Sequence, residues 1–271
     1  MKRLAVISIV TLLLLVIAGW FGLRVSPDPF PPFGSRVSSI RKASIPEGLP
    51  PPVDRFYRAL YGDSVPVIHS AVMSGRATMR IKGIPFSGRF RFIHDAGCGY
   101  RHYIEATLFG FPVMKVNERY LEGEARMELP FGLLETGPKI DQGANLALWA
   151  EAMWFPSVYI TDERVRWVAA DDTTAYLLVP FEEAEERITV RFDPSSGMPY
   201  RMEAMRFKGG NSDKKILWTN YVSKWNTIGG HRIFTEGAVR WADEDRPWAR
   251  FHVEEIIYNT DVEEYLEANG S

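Results

Sequence analysis

The sequence has a single cysteine, Cys98, and almost no charge imbalance, with 34 acidic and 32 basic residues among 271. One cysteine cannot form an internal disulfide framework. A net charge of −2 provides no strongly basic surface that would favour nucleic acid as a partner. The G-x-S-x-G, H-E-x-x-H, C-x-x-C and P-loop patterns are also missing. The sequence therefore predicts no cofactor, no metal and no catalytic residue.

One long apolar run lies at the N-terminus, where the twenty residues from Leu4 to Leu23 carry no charge. A run of this length is enough to cross a bilayer as a helix. The alternative is a cleaved signal peptide, which has a shorter apolar core and a better cleavage site than Ala18-Gly19-Trp20. We therefore predict an uncleaved transmembrane helix over 4–23. The short basic head, residues 1–3, should remain cytoplasmic, with the rest of the chain on the extracytoplasmic side.

Proline is concentrated between residues 24 and 52, which contain eight of the 18 prolines. Such a segment cannot hold a helix or a central strand. We predict an extended Pro-rich linker over 24–52, followed by one folded domain over 53–271. The length of that domain suits a single all-β unit. A short amphipathic helix from Val53 to Tyr61 should open it.

Most of the domain shows the alternation of apolar and polar residues that is typical of half-buried strands. Five predicted strands precede a central helix: 76–82, 86–94, 100–108, 113–120 and 124–129. Eight follow it: 158–161, 165–169, 173–179, 185–192, 200–208, 215–225, 231–241 and 248–258. The connections are too short for crossover helices, so the strands should pair antiparallel. This pattern predicts a mainly β fold, as a barrel, a half-barrel or a sandwich.

The central helix should run from Asp141, which can cap its start, to Phe155, just before Pro156. Its sequence, DQGANLALWAEAMWF, is apolar nearly all round, so we expect burial on more than one side. Trp149 and Trp154 are separated by about 140° around the helix axis. One of them should therefore face the sheet, and the other a lid, a ligand or the membrane.

Glu151 is the only charged residue between Gly143 and Phe155. If it is buried it must be paired or protonated, because an unpaired buried carboxylate is too costly. Three interpretations are open: exposure to solvent, a catalytic acid that works with Asp171 or Asp172, and an ion pair with an arginine of the sheet. Asp171-Asp172 can also be a simple turn between strands. The candidate arginines are Arg164, Arg166 and Arg206.

His94, Cys98 and His102 lie close together in the sequence, and histidine and cysteine bind zinc. However, the pattern H-x3-C-x3-H matches no usual structural zinc site, and a fourth ligand is not evident. A hairpin also places the two histidines on diagonal rather than facing positions. We therefore predict exposed histidines at strand ends and a cysteine in the turn.

Four segments resemble the signature blocks of an uncharacterised, membrane-anchored prokaryotic protein family: QGANLALWAEAMWFPS, RWVAADDTTAYLLVPF, RFDPSSGMPYRMEAMRFK and PWARFHVEEIIYNTDVEEY. The C-terminal part, from Phe192-Asp193-Pro194 to Ile257-Tyr258-Asn259, is similar to the LolA/LppX superfamily of lipid and lipoprotein carriers. This resemblance implies a strongly curved antiparallel sheet, a half-barrel, whose concave face is covered by helices and takes up acyl chains.

The sequence thus favours a membrane-anchored binding protein that holds a lipid or other apolar ligand between a curved sheet and helix 141–155. A small number of polar groups in an apolar wall is the usual form of such a site. The predicted ligand-binding residues are four apolar and two polar side chains: Trp149, Met153, Trp154 and Phe155, with Glu151 and Arg206. Two alternatives are an envelope protein–protein interaction domain without a ligand and a carboxylate-dependent hydrolase.

Overall fold

One antiparallel sheet of thirteen strands makes up most of the computed structural model, which describes residues 2–34 and 39–270. Residue 1 of the predicted head, residues 35–38 of the predicted linker and residue 271 lie outside the described residues. Two short strands, β1 (Lys42–Ser44) and β2 (Ser64–Pro66), pair separately. The thirteen strands of the large sheet are β3 (Ser70–Ile81), β4 (Ile84–Asp95), β5 (Gly99–Leu108), β6 (Phe111–Leu121), β7 (Glu124–Leu129), β8 (Leu133–Thr136), β9 (Arg166–Asp171), β10 (Thr174–Phe181), β11 (Ala184–Phe192), β12 (Pro199–Arg206), β13 (Ile216–Ile228), β14 (His231–Trp241) and β15 (Ala249–Tyr258).

The sheet consists of two wings that meet at its centre. Strands β3 to β8 form the N-terminal wing and β9 to β15 the C-terminal wing, in the order β8-β7-β6-β5-β4-β3-β15-β14-β13-β12-β11-β10-β9. At the seam, β3 pairs with β15, and Ala77 lies opposite Phe251. The prediction of a mainly β fold built on a curved antiparallel sheet is confirmed.

Five α-helices accompany the sheet within the described residues: α1 (Lys2–Gly22), α2 (Pro51–Tyr61), α3 (Pro138–Glu151), α4 (Val158–Thr161) and α5 (Glu263–Leu266). The central helix α3 begins three residues before the predicted start and continues as a 3-10 turn, Ala152–Trp154. The predicted cap at Asp141 is wrong, because Gly137 occupies the cap position and Pro138 the first turn. Asp141 instead accepts a hydrogen bond from the backbone N–H of Ala125 at 2.7 Å.

The predicted strand 158–161 is wrong, because these residues form the short helix α4. Its residues are mostly β-branched, which favours strand by propensity. Packing overrides that preference, since Val158 and Tyr159 point into the core. The hydroxyl of Tyr159 also donates to the backbone carbonyl of Trp149, which ties α4 to the end of α3.

Helix α3 packs on one face of the sheet, which we call the inner face. Its first half reaches both wings, because Asn145 donates to the carbonyl of Pro180 at 3.0 Å and accepts from the hydroxyl of Tyr120 at 3.4 Å. Gln142 donates to the carbonyl of Met205 at 3.1 Å. The inner face is apolar over much of its area, and α3 closes it. The core therefore lies between α3 and the two wings.

The opposite, outer face is charged but partly covered by both ends of the chain. Phe30 and Phe33 of the predicted linker are buried there, stacked near the guanidinium groups of Arg89 and Arg91. Near the C-terminus, Val262 joins a second small core with Phe33. This part of the linker therefore packs on the sheet. The proposed division into head, membrane helix, linker and domain remains a prediction.

Helix α1 is exposed along most of its length, and its C-terminal end is attached to the N-terminal wing near the hairpin tips. The segment Arg3–Gly22 is long and apolar enough to cross a membrane, judged by length and composition. Where α1 ends, the carbonyl of Gly22 accepts the backbone N–H of Phe109 at 2.8 Å. The carbonyl of Leu23 accepts the backbone N–H of Ser87, also at 2.8 Å. Helix α1 is therefore a candidate membrane anchor whose exit point is fixed to the sheet.

Candidate functional site

Three polar side chains meet between the end of α3 and the inner face: His94 from β4, His102 from β5 and Glu151 from α3. Both histidines direct Nε2 at the same carboxylate oxygen of Glu151, His102 at 2.6 Å and His94 at 3.1 Å. His94 and His102 are buried, and the side chain of Glu151 is 18% exposed. This histidine–glutamate cluster is a concentrated polar group in an otherwise apolar helix–sheet contact.

Two sequence predictions about these residues are wrong. The histidines were predicted to be exposed, but the diagonal positions across the β4–β5 hairpin put both on the inner face, where α3 covers them. The ion pair with an arginine that was considered for Glu151 is also wrong, because its hydrogen bonds are to His102 and His94. Cys98 is exposed in the turn, as predicted.

The three candidate arginines have other surroundings. Arg164 pairs with Asp162 at 2.6 Å, and Arg166 pairs with Glu185 at 2.6 Å. Arg206 lies over the ring of Trp218 at 4.6 Å.

A second layer of polar groups extends the cluster. Glu118 on β6 lies 3.8 Å from Nδ1 of His102 and accepts a hydrogen bond from the hydroxyl of Tyr100. The guanidinium of Arg206 stands near Gly143 of α3, where a Cβ would lie 2.9 Å from its Nε. A glycine inside a helix is unfavourable, and here it leaves the space that the guanidinium occupies.

The pKa values in the cluster describe a charge-balanced group. Burial alone would raise the pKa of Glu151, but the neighbouring His102 and His94 rings hold it at about 2. Burial would lower the pKa of His102, but Glu151 and Glu118 raise it to about 9. Burial lowers the pKa of His94 despite its bond to Glu151. Burial would raise the pKa of Glu118, but its contacts with His102 and Tyr100 lower it. At neutral pH, Glu151 and Glu118 are therefore anionic, His102 is cationic and His94 is neutral, while Arg206 keeps the charge that arginine retains in proteins.

The same cluster has ligand atoms for a metal ion. One atom from each of His94, His102 and Glu151 lies within 4.8 Å of the other two. Two imidazoles and a carboxylate are ligands that zinc and iron accept. In the structure these atoms form hydrogen bonds with one another. A divalent ion would therefore have to displace the proton that His102 donates to Glu151.

The four predicted apolar wall residues are all buried. Trp154 stacks on Phe234 with ring centroids 4.9 Å apart, and its Nε1–H donates to the carbonyl of Phe234 at 3.2 Å. Phe155 lies edge-on to His94 at 5.4 Å. Met153 is fully enclosed. These residues are packed against the sheet in the structure, and their role as a ligand wall remains a prediction.

The two tryptophans were expected to face different surroundings, and they do so within the core. Trp154 lies against β14 of the sheet. Trp149 lies below the turn at Gly97, with the guanidinium of Arg164 5.9 Å from its ring centroid. Its indole N–H has no hydrogen-bond partner among the described residues. Both rings are buried, so neither faces the membrane in this arrangement.

The carboxylates proposed for a hydrolase do not take part in the cluster. Asp171 accepts hydrogen bonds from the backbone N–H and hydroxyl of Thr173 at 2.8 and 3.0 Å, as in a simple turn. Asp172 lies in the same turn, between β9 and β10. Within the described residues, the hydrogen bonds of Glu151 go to histidine and to neither aspartate.

A cavity of about 610 Å³ opens on the outer face and not beneath α3. Its walls come from the seam between the wings and the neighbouring strands, and they include Arg76, Thr78, Tyr221, Glu236, Arg250 and His252. The six predicted ligand-binding residues are not part of it. Alternating charges line this depression, so its character differs from the apolar site that the sequence predicted.

Comparison with known proteins gives a family and several similar folds. Residues 38–252 match the family described as "Family of unknown function (DUF6544)". No significantly similar sequence was found among the curated proteins.

Among solved structures, a LolA superfamily protein from Nitrosomonas europaea is 11% identical with a TM-score of 0.45, over 80% of this chain and 96% of that one. A putative outer membrane lipoprotein-sorting protein domain from Vibrio parahaemolyticus is 10% identical with a TM-score of 0.42, over 79% and 92%. A DUF1329 family protein from Desulfovibrio piger is 12% identical with a TM-score of 0.43, over 71% and 87%.

Proposed function

Since the chain belongs to DUF6544, a family of unknown function, we propose its function from its own geometry. The protein is a membrane-anchored binding protein with α1 in the bilayer and the sheet on the extracytoplasmic side. It holds a lipid or another apolar ligand between the inner face and α3. In this proposal the structure is the closed form, and α3 is the lid.

The observation that carries the proposal is the charged contact between Glu151 and the two histidines. A buried ion pair is a weak way to hold a helix, because apolar residues of similar volume are often as stabilising or more so. If α3 only had to stay in place, an apolar side chain at position 151 would serve. A charged contact can instead be released when a proton or a polar ligand group replaces one partner.

The surfaces on both sides of this contact suit an acyl chain. On the helix side they are Trp149, Met153, Trp154 and Phe155, all buried in the closed form. On the sheet side, the rings of Phe92 and Phe251 meet edge to face with centroids 5.3 Å apart, and the ring of Trp154 lies 6.2 Å from that of Phe92. Movement of α3 away from the sheet would open an apolar slot with Glu151 and Arg206 as its polar groups, which is the usual composition of a ligand site.

The backbone at the two ends of α3 supports a lid. At the start, Gly137 has φ of 102°, a conformation that is easy only for glycine. At the end, the helix changes to a 3-10 turn and then to Phe155, whose φ and ψ are −137° and 60°. Lids turn about a few residues at the ends of elements, and both ends of α3 provide such positions.

Photo-crosslinking of the full chain tests the proposal. The protein is reconstituted in vesicles that contain a phospholipid with a diazirine at the end of one acyl chain, irradiated, and mapped by peptide mass spectrometry. We expect labels in residues 143–155 and on the inner-face residues Phe92 and Phe251. Labelling there should increase in Glu151→Gln, which weakens the closed contact.

The matched control is Glu185→Gln, which removes a carboxylate from an exposed pair with Arg166. It should label as the unmodified protein does. If labels in all three proteins are confined to α1 and to exposed residues near it, α3 does not cover a lipid site and the proposal fails.

A further inference from the structure

Six large apolar side chains stand exposed at the tips of two neighbouring hairpins of the N-terminal wing, β5–β6 and β7–β8. We call them the apolar rim: Phe109, Phe111, Val113, Phe131, Leu133 and Leu134. Their exposed fractions range from 50% to 91%. Single exposed apolar residues are ordinary on protein surfaces, but a group of this size at one edge marks an interaction surface.

The end of α1 lies against this rim. The backbone N–H of Phe109 donates to the carbonyl of Gly22, and a Cβ on Gly22 would come within 2.6 Å of the Phe109 ring. Ile84, at the tip of the adjacent β3–β4 hairpin, lines a small apolar depression together with Trp20 and Leu23 of the α1 segment. A chain that leaves the bilayer at Gly22 therefore emerges beside the rim.

The turns of the C-terminal wing at the same end of the strands are polar, and the β12–β13 turn carries Lys208, Lys214 and Lys215. The β10–β11 turn carries Glu182 and Glu183, and the β14–β15 turn carries Asp243, Glu244 and Asp245. The large apolar tips are thus confined to the wing to which α1 is attached. Basic residues accompany them, since Lys82 lies at the β3–β4 tip and Arg24 follows α1. This combination fits a bilayer surface with anionic headgroups.

Phe131 is the most exposed residue of the apolar rim. Its backbone has φ of 66°, the left-handed region that disfavours residues with a side chain. Its ring is 91% exposed, so packing within the protein does not compensate for that conformation. The turn presents the ring outward at the end of the hairpin, next to Gly132, which also has a positive φ.

We propose that the apolar rim inserts into the interfacial layer of the same bilayer that α1 crosses. The N-terminal wing then rests on the membrane with its hairpin tips, and the polar turns of the C-terminal wing stay in water. Rings at this depth would lie about 5–10 Å inside the headgroup boundary. The inference rests on the proposed role of α1 as a membrane anchor and does not require a ligand beneath α3.

Spin labelling of the full chain tests this seating. Cys98→Ser removes the native thiol, and single cysteines are introduced by Phe131→Cys and Phe111→Cys in the rim. Glu183→Cys is the matched position at a hairpin tip of the other wing, and Ile9→Cys reports on α1. Each labelled protein is reconstituted in vesicles of phosphatidylethanolamine and phosphatidylglycerol. Collision of the label with oxygen and with a water-soluble nickel chelate is then measured.

We expect the labels at positions 131, 111 and 9 to collide more often with oxygen than with the nickel chelate. The label at position 183 should collide more often with the nickel chelate than with oxygen. If the rim labels collide with nickel as the label at 183 does, while the label at 9 is in lipid, the seating is wrong. Spin–spin broadening at 131 that disappears on dilution with unlabelled protein would show a second copy on the rim and also overturn it. A label at 9 that collides with nickel would overturn the anchor, and the rim proposal with it.

Discussion

Replacing Glu151 by glutamine keeps the size of the side chain and removes the carboxylate that His94 and His102 share. The magnitude follows from His102, whose pKa rises from 6.5 to about 9 in the folded protein. A shift of this size corresponds to about 3 kcal/mol of interaction between the charged ring and its surroundings. Glu151 is the largest source of that attraction, so the substitution should remove most of it.

The directions of these pKa shifts determine how the stabilisation of the fold depends on pH. A raised pKa stabilises the fold fully below the unfolded value of 6.5, and this contribution is lost as the pH rises through about 9. The lowered pKa of Glu151 stabilises the fold above 4.5, and this contribution is lost as the pH falls through about 2. The pair therefore contributes fully between pH 4.5 and 6.5. Burial lowers the pKa of His94, which favours unfolding below 6.5, and Glu151 opposes this shift.

We expect Glu151→Gln to lower the free energy of unfolding by about 3 kcal/mol near pH 6. Near pH 9.5 the loss should shrink to roughly 1 kcal/mol, the value of an ordinary hydrogen bond, because His102 is then neutral in the original protein too. Urea unfolding of the full chain in detergent micelles, followed by tryptophan emission, measures both values. Glu185→Gln is the control and should cost less than about 1 kcal/mol at either pH.

An equal loss at both pH values would refute this reasoning. It would mean that Glu151 stabilises the fold through shape or a neutral hydrogen bond, and that the charge on His102 does not matter. A loss that grows toward pH 9.5 would contradict the assigned protonation states directly.

Three further predictions concern packing. Trp154→Phe should lower the free energy of unfolding by about 1 kcal/mol more than Trp149→Phe in the same urea assay. Of these two indole N–H groups, only that of Trp154 has a hydrogen-bond partner among the described residues. Equal losses would contradict a stabilising role for that hydrogen bond. Gly75→Ala should lower the free energy of unfolding by roughly 3 kcal/mol or more, since a Cβ there would lie 1.9 Å from the carbonyl oxygen of His252 across the seam. The control is Gly209→Ala, where the nearest atom to the added Cβ would lie 3.5 Å away. This control should change the free energy of unfolding by less than about 1 kcal/mol. Phe131→Ser should leave the free energy of unfolding within about 0.5 kcal/mol, because the ring is exposed; a larger loss would show that the rim supports the fold itself.

Sequence patterns predicted the sheet well because many of its strands alternate apolar and polar residues. The runs around Phe90 and Phe92, and around Met202 and Ala204, place their apolar residues on one face, and that face is the buried one. The burial of α3 was also predictable, because an almost uncharged helix has no face to turn to water. The short helix α4 was not predictable, because its β-branched residues favour a strand and only its packing decides otherwise.

The histidine–glutamate cluster could not be predicted from local spacing, because Glu151 lies 57 residues from His94 and 49 from His102. One available signal was overlooked. His94 continues the parity of Phe90 and Phe92 along β4, so strand alternation alone puts it on the apolar face. Once a histidine is placed there, Glu151, the only charged residue between Gly143 and Phe155, becomes its natural partner, ahead of any arginine.

The seam between β3 and β15 has a consequence for how the chain reaches this fold. The two strands at the centre of the sheet come from opposite ends of the domain, and Arg76 pairs with Glu254 across 178 residues of sequence. The edge strands β8 and β9, by contrast, come from the middle of the chain. During synthesis each wing can form from local hairpins, but the two cannot join until the last strand has left the ribosome. Such long-range pairing is slow. Deletion of residues 252–271 would remove most of β15 and separate the two wings at the centre of the sheet, whereas deletion of an edge strand would leave the rest of the sheet paired.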